Sequence, residues 1–280
     1  MAHSITSMAL FCDFENIALG VRDAQYAKFD IDRVLERLLL KGSIVVKKAY
    51  CDWDRYKDFK KPMHEASFEL IEIPHVKISG KNSADIRLVV DALDLCYTKA
   101  HVDTFVIISG DSDFSPLVSK LRENNKTVIG VGVKSSTSDL LIANCDEFIY
   151  YDDLVRQEEK KRHQRARRKQ PSTSKASHAG AETPKAAKPE ASEEDRKQQA
   201  FDLVVDTIDA LAEERDQDEK IWGSMVKQTL KRRNPGFNES YFGFRTFSEL
   251  LEEAQVRKLL TLEPDLKSGG YIIRRGGRAE

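Results

Sequence analysis

With 280 residues, 45 basic against 46 acidic side chains and a formal net charge of -1, the chain is long enough for one large domain or two ordinary ones. Overall it is neither a basic nor an acidic polyelectrolyte. The charge is unevenly distributed: residues 1–155 hold 19 basic and 24 acidic side chains, the remainder 26 and 22. An acidic front and a basic back suit a chain that holds a polyanion in one part and processes it in the other. Four cysteines (Cys12, Cys51, Cys96, Cys145) lie in apolar runs, with no Cys-x-x-Cys and no adjacent His cluster. That pattern argues against a zinc site or a disulfide frame and for small core residues in a reducing compartment. No apolar run approaches transmembrane length and residues 1–10 do not resemble a signal peptide, so the expected location is cytoplasmic, with no membrane partner.

Taken in order, Met8 to Cys12 reads as a short strand broken by Asp13-Phe14-Glu15-Asn16, and a polar loop leads to Ile31. Ile31, Val34, Leu35 and Leu38 follow helical spacing behind Asp30 as N-cap, and Gly42 ends that helix. Ile44 to Tyr50 is a strand, 54–67 a helix broken near Pro62, and Phe68 to Ile73 an alternating strand stopped by Pro74. Between 84 and 97, Ile86, Val89, Val90, Leu93 and Tyr97 form the apolar stripe of a helix. The run Thr104 to Ile108 reads as a buried strand that ends abruptly in Ser109-Gly110-Asp111-Ser112-Asp113-Phe114, with a helix over 115–123 behind it. Lys126 to Val133 is a further strand, followed by a short helix near Leu140 and a last strand, Glu147 to Tyr151. This alternation predicts an α/β domain over residues 5–154, a Rossmann-like parallel sheet with helices on both faces.

Composition changes after Leu154. Lys160, Lys161, Arg162, Arg165, Arg167, Arg168 and Lys169 form a basic block, and 170–195 is rich in Pro, Ala, Ser, Lys and Glu. Residues 155–196 therefore read as a charged linker that is either a phosphate-binding tract or a solvated helix extension. A small domain follows over 197–276. It has a helix with Phe201, Val204, Val205, Ile208 and Leu211 on one stripe, a second from Ile221 to Lys231 and a third from Thr246 to Ala254. A hairpin of Leu259 to Leu262 with Tyr271 to Arg274 completes the outline of a winged helix-turn-helix. Its cations Lys227, Lys231, Arg232, Arg233 and Arg245 are candidates for phosphate contact, whereas Trp222, Phe237, Tyr241, Phe242 and Phe247 read as core aromatics.

Chemistry concentrates where strands end. Asp13, Asp85 and the pair Asp111 and Asp113 all fall at a strand end or a helix start, and strand C-termini in a parallel sheet share one edge. Carboxylates brought together there repel unless a cation sits between them, which implies Mg2+ or Mn2+ held by Asp13, Asp85, Asp111 and Asp113. The plainer readings are that Asp85 is a helix N-cap and Asp13 a turn residue. Asn16 suits orienting water or a phosphate oxygen without added repulsion. Lys81 and Asn82 could contact phosphate, and Asp91 is expected to pair with Arg87 one helical turn away.

These residues carry a resemblance. Asp13-Phe14-Glu15-Asn16, the Lys81 to Asp85 segment and Ser109-Gly110-Asp111-Ser112-Asp113-Phe114 resemble, in order, the motifs of NYN domains, which are PIN-like metal-dependent ribonucleases, in their LabA-like branch. The usual Lys-Gly-Val-Asp is replaced by Lys81-Asn82-Ser83-Ala84-Asp85. Ile221-Trp222-Gly223-Ser224, Pro235-Gly236-Phe237 and Gly243-Phe244-Arg245-Thr246-Phe247 resemble the OST-HTH (LOTUS) module, which accompanies NYN domains and binds RNA or, in some cases, protein. The resemblance implies hydrolysis of RNA phosphodiester bonds, single-stranded RNA as substrate, and in-line attack leaving a 5′-phosphate. Asp13, Asp85, Asp111 and Asp113 would hold the metal, with Asn16 and the Ser109 hydroxyl positioning water or substrate.

Two alternatives stand beside this. A haloacid-dehalogenase-type phosphatase also has a first-strand Asp and a later Gly-Asp segment, but it needs an acid/base Asp two residues after the first, where this chain has Glu15. A non-catalytic RNA-binding scaffold would keep the acidic site for structure or metal binding alone.

Overall fold

Met8 to Cys12 is fully buried, and its side chains alternate between two separate cores, so the strand is covered on both faces. The computed structural model describes residues 6–73, 83–159, 193–213, 220–265 and 270–275. Lys81, Asn82, the basic block and residues 160–192 of the proposed linker lie outside the described residues. The chain divides into two compact units, the first built on a six-stranded sheet and the second on a three-stranded one.

In the first unit, β1 (Ser7–Asp13) lies between β2 (Ser43–Cys51) and β4 (Thr104–Ile108), with β3 (Glu69–Glu72), β5 (Thr127–Gly132) and β6 (Glu147–Tyr150) beyond them. The order is β3-β2-β1-β4-β5-β6 and every pairing is parallel, as the alternation of apolar runs predicts. From β1 the chain winds outward through β2 and β3, then returns across β1 to β4 and winds outward the other way. The order therefore reverses between β1 and β4, which leaves a crevice at their C-terminal ends. On one face, α1 (Phe14–Asp23), α2 (Ile31–Leu39) and α3 (Lys57–Glu65) pack on Met8, Leu10 and Cys12. On the other, α4 (Ser83–Thr98), α5 (Ser115–Glu123) and α6 (Asp139–Asn144) pack on Ala9 and Phe11. Residues 151–159 form α7, whose Leu154 and Val155 join the first core. All four cysteines are buried thiols.

Three local expectations are corrected. The polar loop after Asp13 is in fact α1: Phe14, Ile17 and Val21 are buried at helical spacing, and the Asp13 side chain caps the first turn. Pro62 does not break α3 but lies within it. Proline removes the donor that would reach the Asp58 carbonyl, and Lys28 Nζ supplies another at 3.2 Å. The stripe on α4 divides. Val89 and Leu93 pack partly against the second core, but Ile86, Val90 and Tyr97 are 63%, 56% and 64% exposed, and the fully inward row is Leu88, Ala92 and Cys96. Two apolar rows compete on this helix, and the row with the smaller Ala92 and Cys96 lets the helix approach the sheet closely.

The second unit contains α8 (Glu193–Glu213), β7 (Ile221–Trp222), α9 (Gly223–Arg233) up to Leu230, α10 (Phe247–Val256), β8 (Leu260–Pro264) and β9 (Tyr271–Arg275). The sheet order is β7-β9-β8, antiparallel throughout. Ile221 and Trp222, read from sequence as the opening of a helix, instead pair with Ile273 and Ile272. Phe201, Val204, Val226, Leu230, Leu250 and Leu251 are buried, as are Phe242 and Phe247. The Thr246 hydroxyl caps α10 by accepting from Glu249 N at 3.1 Å. Among the described residues no helix is long and apolar enough to cross a membrane.

The orientation of α4 is testable by denaturant unfolding. Leu88→Ala should cost about 2–5 kcal/mol, and Val90→Ala no more than about 0.5 kcal/mol. Equal losses would mean that the Val90 row also faces a core.

Candidate active site

Register brings the end of β1 beside the end of β4. Cys12 pairs with Ile108, so the next residues, Asp13 and Ser109, emerge side by side at the crevice. Ser109 Oγ donates to Asp13 Oδ2 at 3.0 Å and accepts from Asp111 N at 3.2 Å. Asp13 Oδ1 accepts from Asn16 N at 3.3 Å, and Asn16 Oδ1 accepts from Gly110 N at 2.9 Å. The Asp111 carboxylate accepts from Asp113 N at 2.9 Å, which caps the short 3-10 turn over 112–114. The first turn of α1 is thus tied to the loop after β4. Close packing requires glycine at 110, where a Cβ would come within 2.6 Å of the Ser136 carbonyl. Beneath the loop, Phe114 is fully buried.

Asp13 and Asp111 line a cleft of about 430 Å³, and Asp85, in the first turn of α4, lines it too. Asn16, Glu15, Asp52 and Arg55 complete its polar wall. Asp113 is exposed and faces a neighbouring depression with Ser112 and Ser115. Of the four expected aspartates, three share one cleft and the fourth stands at its rim. Electrostatics still joins them. Burial, then Asp85 and more weakly Asp111, pushes the Asp13 carboxyl up to about 7, against hydrogen bonds from Asn16 N and Ser109 that lower it. Burial, then Asp111, Asp113 and Glu15, raises Asp85 as well. Burial foremost also raises the Cys51 thiol in the cleft wall, so it stays neutral.

Among the described residues no three His, Cys, Asp or Glu side chains converge as a ready-made metal cage. The acidic donors are all carboxylate oxygens, however, and Asp13 and Asp85 are raised by burial and by repulsion from neighbouring carboxylates, which a hard divalent cation relieves. Such a donor set fits Mg2+ or Mn2+ held by one or two carboxylates while the ion keeps several waters.

Other expected roles fare differently. Ser109 is fully buried and its hydroxyl is engaged by Asp13 and by Asp111 N. It orients the Asp13 carboxylate and the Asp111 backbone. The Asn16 carbonyl is likewise committed, to Gly110. Asp91 pairs with Arg87 at 3.0 Å, as its spacing predicts, and also accepts from Tyr50 at 2.9 Å. Toward the C-terminus, Lys227 forms an ion pair with Glu239 at 2.8 Å, Lys231, Arg232 and Arg233 close the last turn of α9, and Arg245 is exposed. Glu15, Asp52 and Arg55 escape sequence reasoning. Asp52 and Arg55 reach the cleft because β2 adjoins β1, an order that only the folded sheet reveals.

A doubly wound parallel sheet with carboxylates gathered at its switch point defines a class of α/β proteins with an acidic crevice. The chain belongs to the NYN domain family, whose model matches residues 7–152. Over 155 residues it is 25% identical to the Meiosis regulator and mRNA stability factor 1 of Xenopus tropicalis, a match covering 55% of this chain and 9% of that protein. It is 29% identical over 112 residues to an uncharacterized protein of Methanocaldococcus jannaschii, covering 40% of this chain and 43% of that one. The matches therefore span less than half the length of these relatives. A solved structure of a Vibrio parahaemolyticus protein of unknown function matches with 27% identity and a TM-score of 0.49, covering 55% of this chain and 98% of that chain.

The raised Asp13 carboxyl has a consequence for stability. A folded-state pKa near 7, against an ordinary 3.8, means that the folded protein binds this proton more tightly than the unfolded one. Without metal, stability attributable to Asp13 is full below about pH 4 and falls as pH rises through 7. Asp13→Asn in EDTA should therefore raise Tm at pH 8 by several degrees and leave it unchanged near pH 4. No gain at pH 8 would contradict the crowding of these carboxylates.

Proposed function

We propose that the chain is a metal-dependent ribonuclease that hydrolyses single-stranded RNA at the cleft of Asp13, Asp85 and Asp111, with Asp113 at its rim. The observation that supports this most directly is the gathering of mutually repelling carboxylates where β1 and β4 diverge. Family membership supports it too, since NYN domains are PIN-like nucleases. So does the name of the Xenopus relative, which ties a protein with a matching region to mRNA stability.

In this reading Asp13, Asp85 and Asp111 hold Mg2+ or Mn2+. When bound, the cation supplies Lewis-acid polarisation of the phosphate and neutralises charge developing on phosphorus. The chain contributes preorganisation. Ser109 holds both the Asp13 carboxylate and the Asp111 backbone, and Asn16 binds the α1 turn to Gly110. The ligands therefore need little reorganisation as charge develops. No carboxylate acts as nucleophile: in-line attack by water on phosphorus breaks the bond to the 3′-oxygen, which leaves as a 3′-hydroxyl carrying a proton, and the phosphate stays on the 5′-oxygen. Lys81 and Asn82 remain candidates for contact with the phosphate backbone.

Full-length protein with Mn2+ should cleave end-labelled single-stranded RNA. EDTA or Asp111→Asn should lower the rate at least 100-fold while Tm is preserved. Unchanged cleavage by Asp111→Asn would remove this site from the reaction. Turnover of p-nitrophenyl phosphate would instead indicate a phosphatase, and metal-independent RNA binding without cleavage a scaffold.

The second unit is proposed to be an OST-HTH (LOTUS) winged helix over about 197–276, linked through 155–196 and binding RNA through Lys227, Lys231, Arg232, Arg233 and Arg245. The exposed Arg232 and Arg245 provide a check. Replacing both by Ala should weaken RNA binding by roughly tenfold and flatten its salt dependence. Unchanged affinity would assign this unit to a protein partner.

A further inference from the structure

The cleft has to admit a polyanion past a wall lined by Asp13, Glu15, Asp52, Asp85 and Asp111. Among its described lining residues the one cation is Arg55. Its backbone is firmly supported. Trp53, 1% exposed, packs against Phe14 with ring centroids 4.9 Å apart and donates through Nε1 to the Ile71 carbonyl at 3.2 Å. Trp53 N donates to Glu72 at 3.0 Å, and Arg55 N closes a turn onto the Asp52 carbonyl at 3.1 Å. The guanidinium is half-exposed and paired with Glu15 at 3.0 Å. Exposed pairs of this kind are weak and easily exchanged. A phosphodiester offers the same guanidinium a charged, bidentate acceptor.

We propose that Arg55 is an RNA phosphate-binding residue, which leaves Glu15 to grip the backbone phosphate of a nucleotide flanking the cleaved bond. The inference rests on the ribonuclease reading and adds to it the contact that draws the substrate into an acidic cleft. Glu15 then acts as a stand-in anion, keeping the guanidinium extended along the wall until phosphate replaces the carboxylate. The competing account is that Arg55 only neutralises Glu15. The two differ in what happens when Glu15 loses its charge.

The test is fluorescence anisotropy of a short labelled single-stranded RNA with the full-length chain, in an Asp111→Asn background with Mg2+, over a range of NaCl concentrations. Arg55→Ala should weaken binding roughly tenfold and reduce the salt slope by about 0.7, the value for one phosphate contact on a single strand. Arg55→Lys should keep the slope and lose part of the affinity, and Glu15→Gln should tighten binding. In the double variant Glu15→Gln/Arg55→Ala the loss should persist, with Tm of each variant near that of the parent. Affinity and slope unaltered by Arg55→Ala would overturn the proposal, as would recovery of full affinity in the double variant. If the parent bound RNA with these effects but the wild-type chain cleaved none, the nuclease reading would fail while Arg55 stood. If the parent bound no RNA, both would fall.

Discussion

The adjacency of β1 and β4 is the constraint on which the rest of the first unit depends. Parallel pairing in this register leaves Asp13 and Ser109 side by side, and the Ser109 hydroxyl then orients Asp13 and the Asp111 backbone together. The sheet is stabilised by burying apolar residues on both faces, and that stability is what holds like charges in one crevice. Asp13 shows the cost. It is 7% exposed, and its carboxyl is pushed up to about 7 although two hydrogen bonds oppose the shift.

Polar residues near the crevice divide by whether their hydrogen-bonding capacity is already committed. The Ser109 hydroxyl, the Asn16 carbonyl and the Asp91 carboxylate are engaged within the fold and give the crevice its shape. Asp85 and Asp111 face the cleft, and Arg55 and Glu15 form its exposed ion pair. The Ser109 hydroxyl and the Asn16 backbone N–H hold the Asp13 carboxylate, while the Asn16 side chain holds the loop after β4.

Much of the first unit was legible because a buried parallel strand has an unmistakable composition. Ala9, Leu10, Phe11 and the run Thr104 to Ile108 leave no polar face, so both faces must be covered. The adjacency of Asp13 and Asp111 needed one further fact, the order of the strands, which periodicity does not encode. Helix α1 was hidden because Asp13, Glu15 and Asn16 surround its first buried residue, Phe14, and the cap and the site are the same residues. The outward row of α4 misled because apolar spacing shows that a face exists without showing which of two faces is buried. Arg55 was invisible for another reason: it follows β2, whose own residues carry no acidic motif, and only the sheet order brings that loop to the crevice. In the second unit β7 is just two residues long, too short for any alternation to register, and only its pairing with β9 reveals it.

Carbon-detected NMR titration of the Asp13 carboxyl, with and without Mg2+, would test the central claim most directly. Burial of Asp13 beside Asp85 and Asp111 at the β1/β4 crevice predicts a midpoint near pH 7 in EDTA and a fall of at least about one unit when Mg2+ is added, as the cation favours the ionised form. An ordinary carboxylate midpoint in EDTA, unmoved by Mg2+, would contradict it.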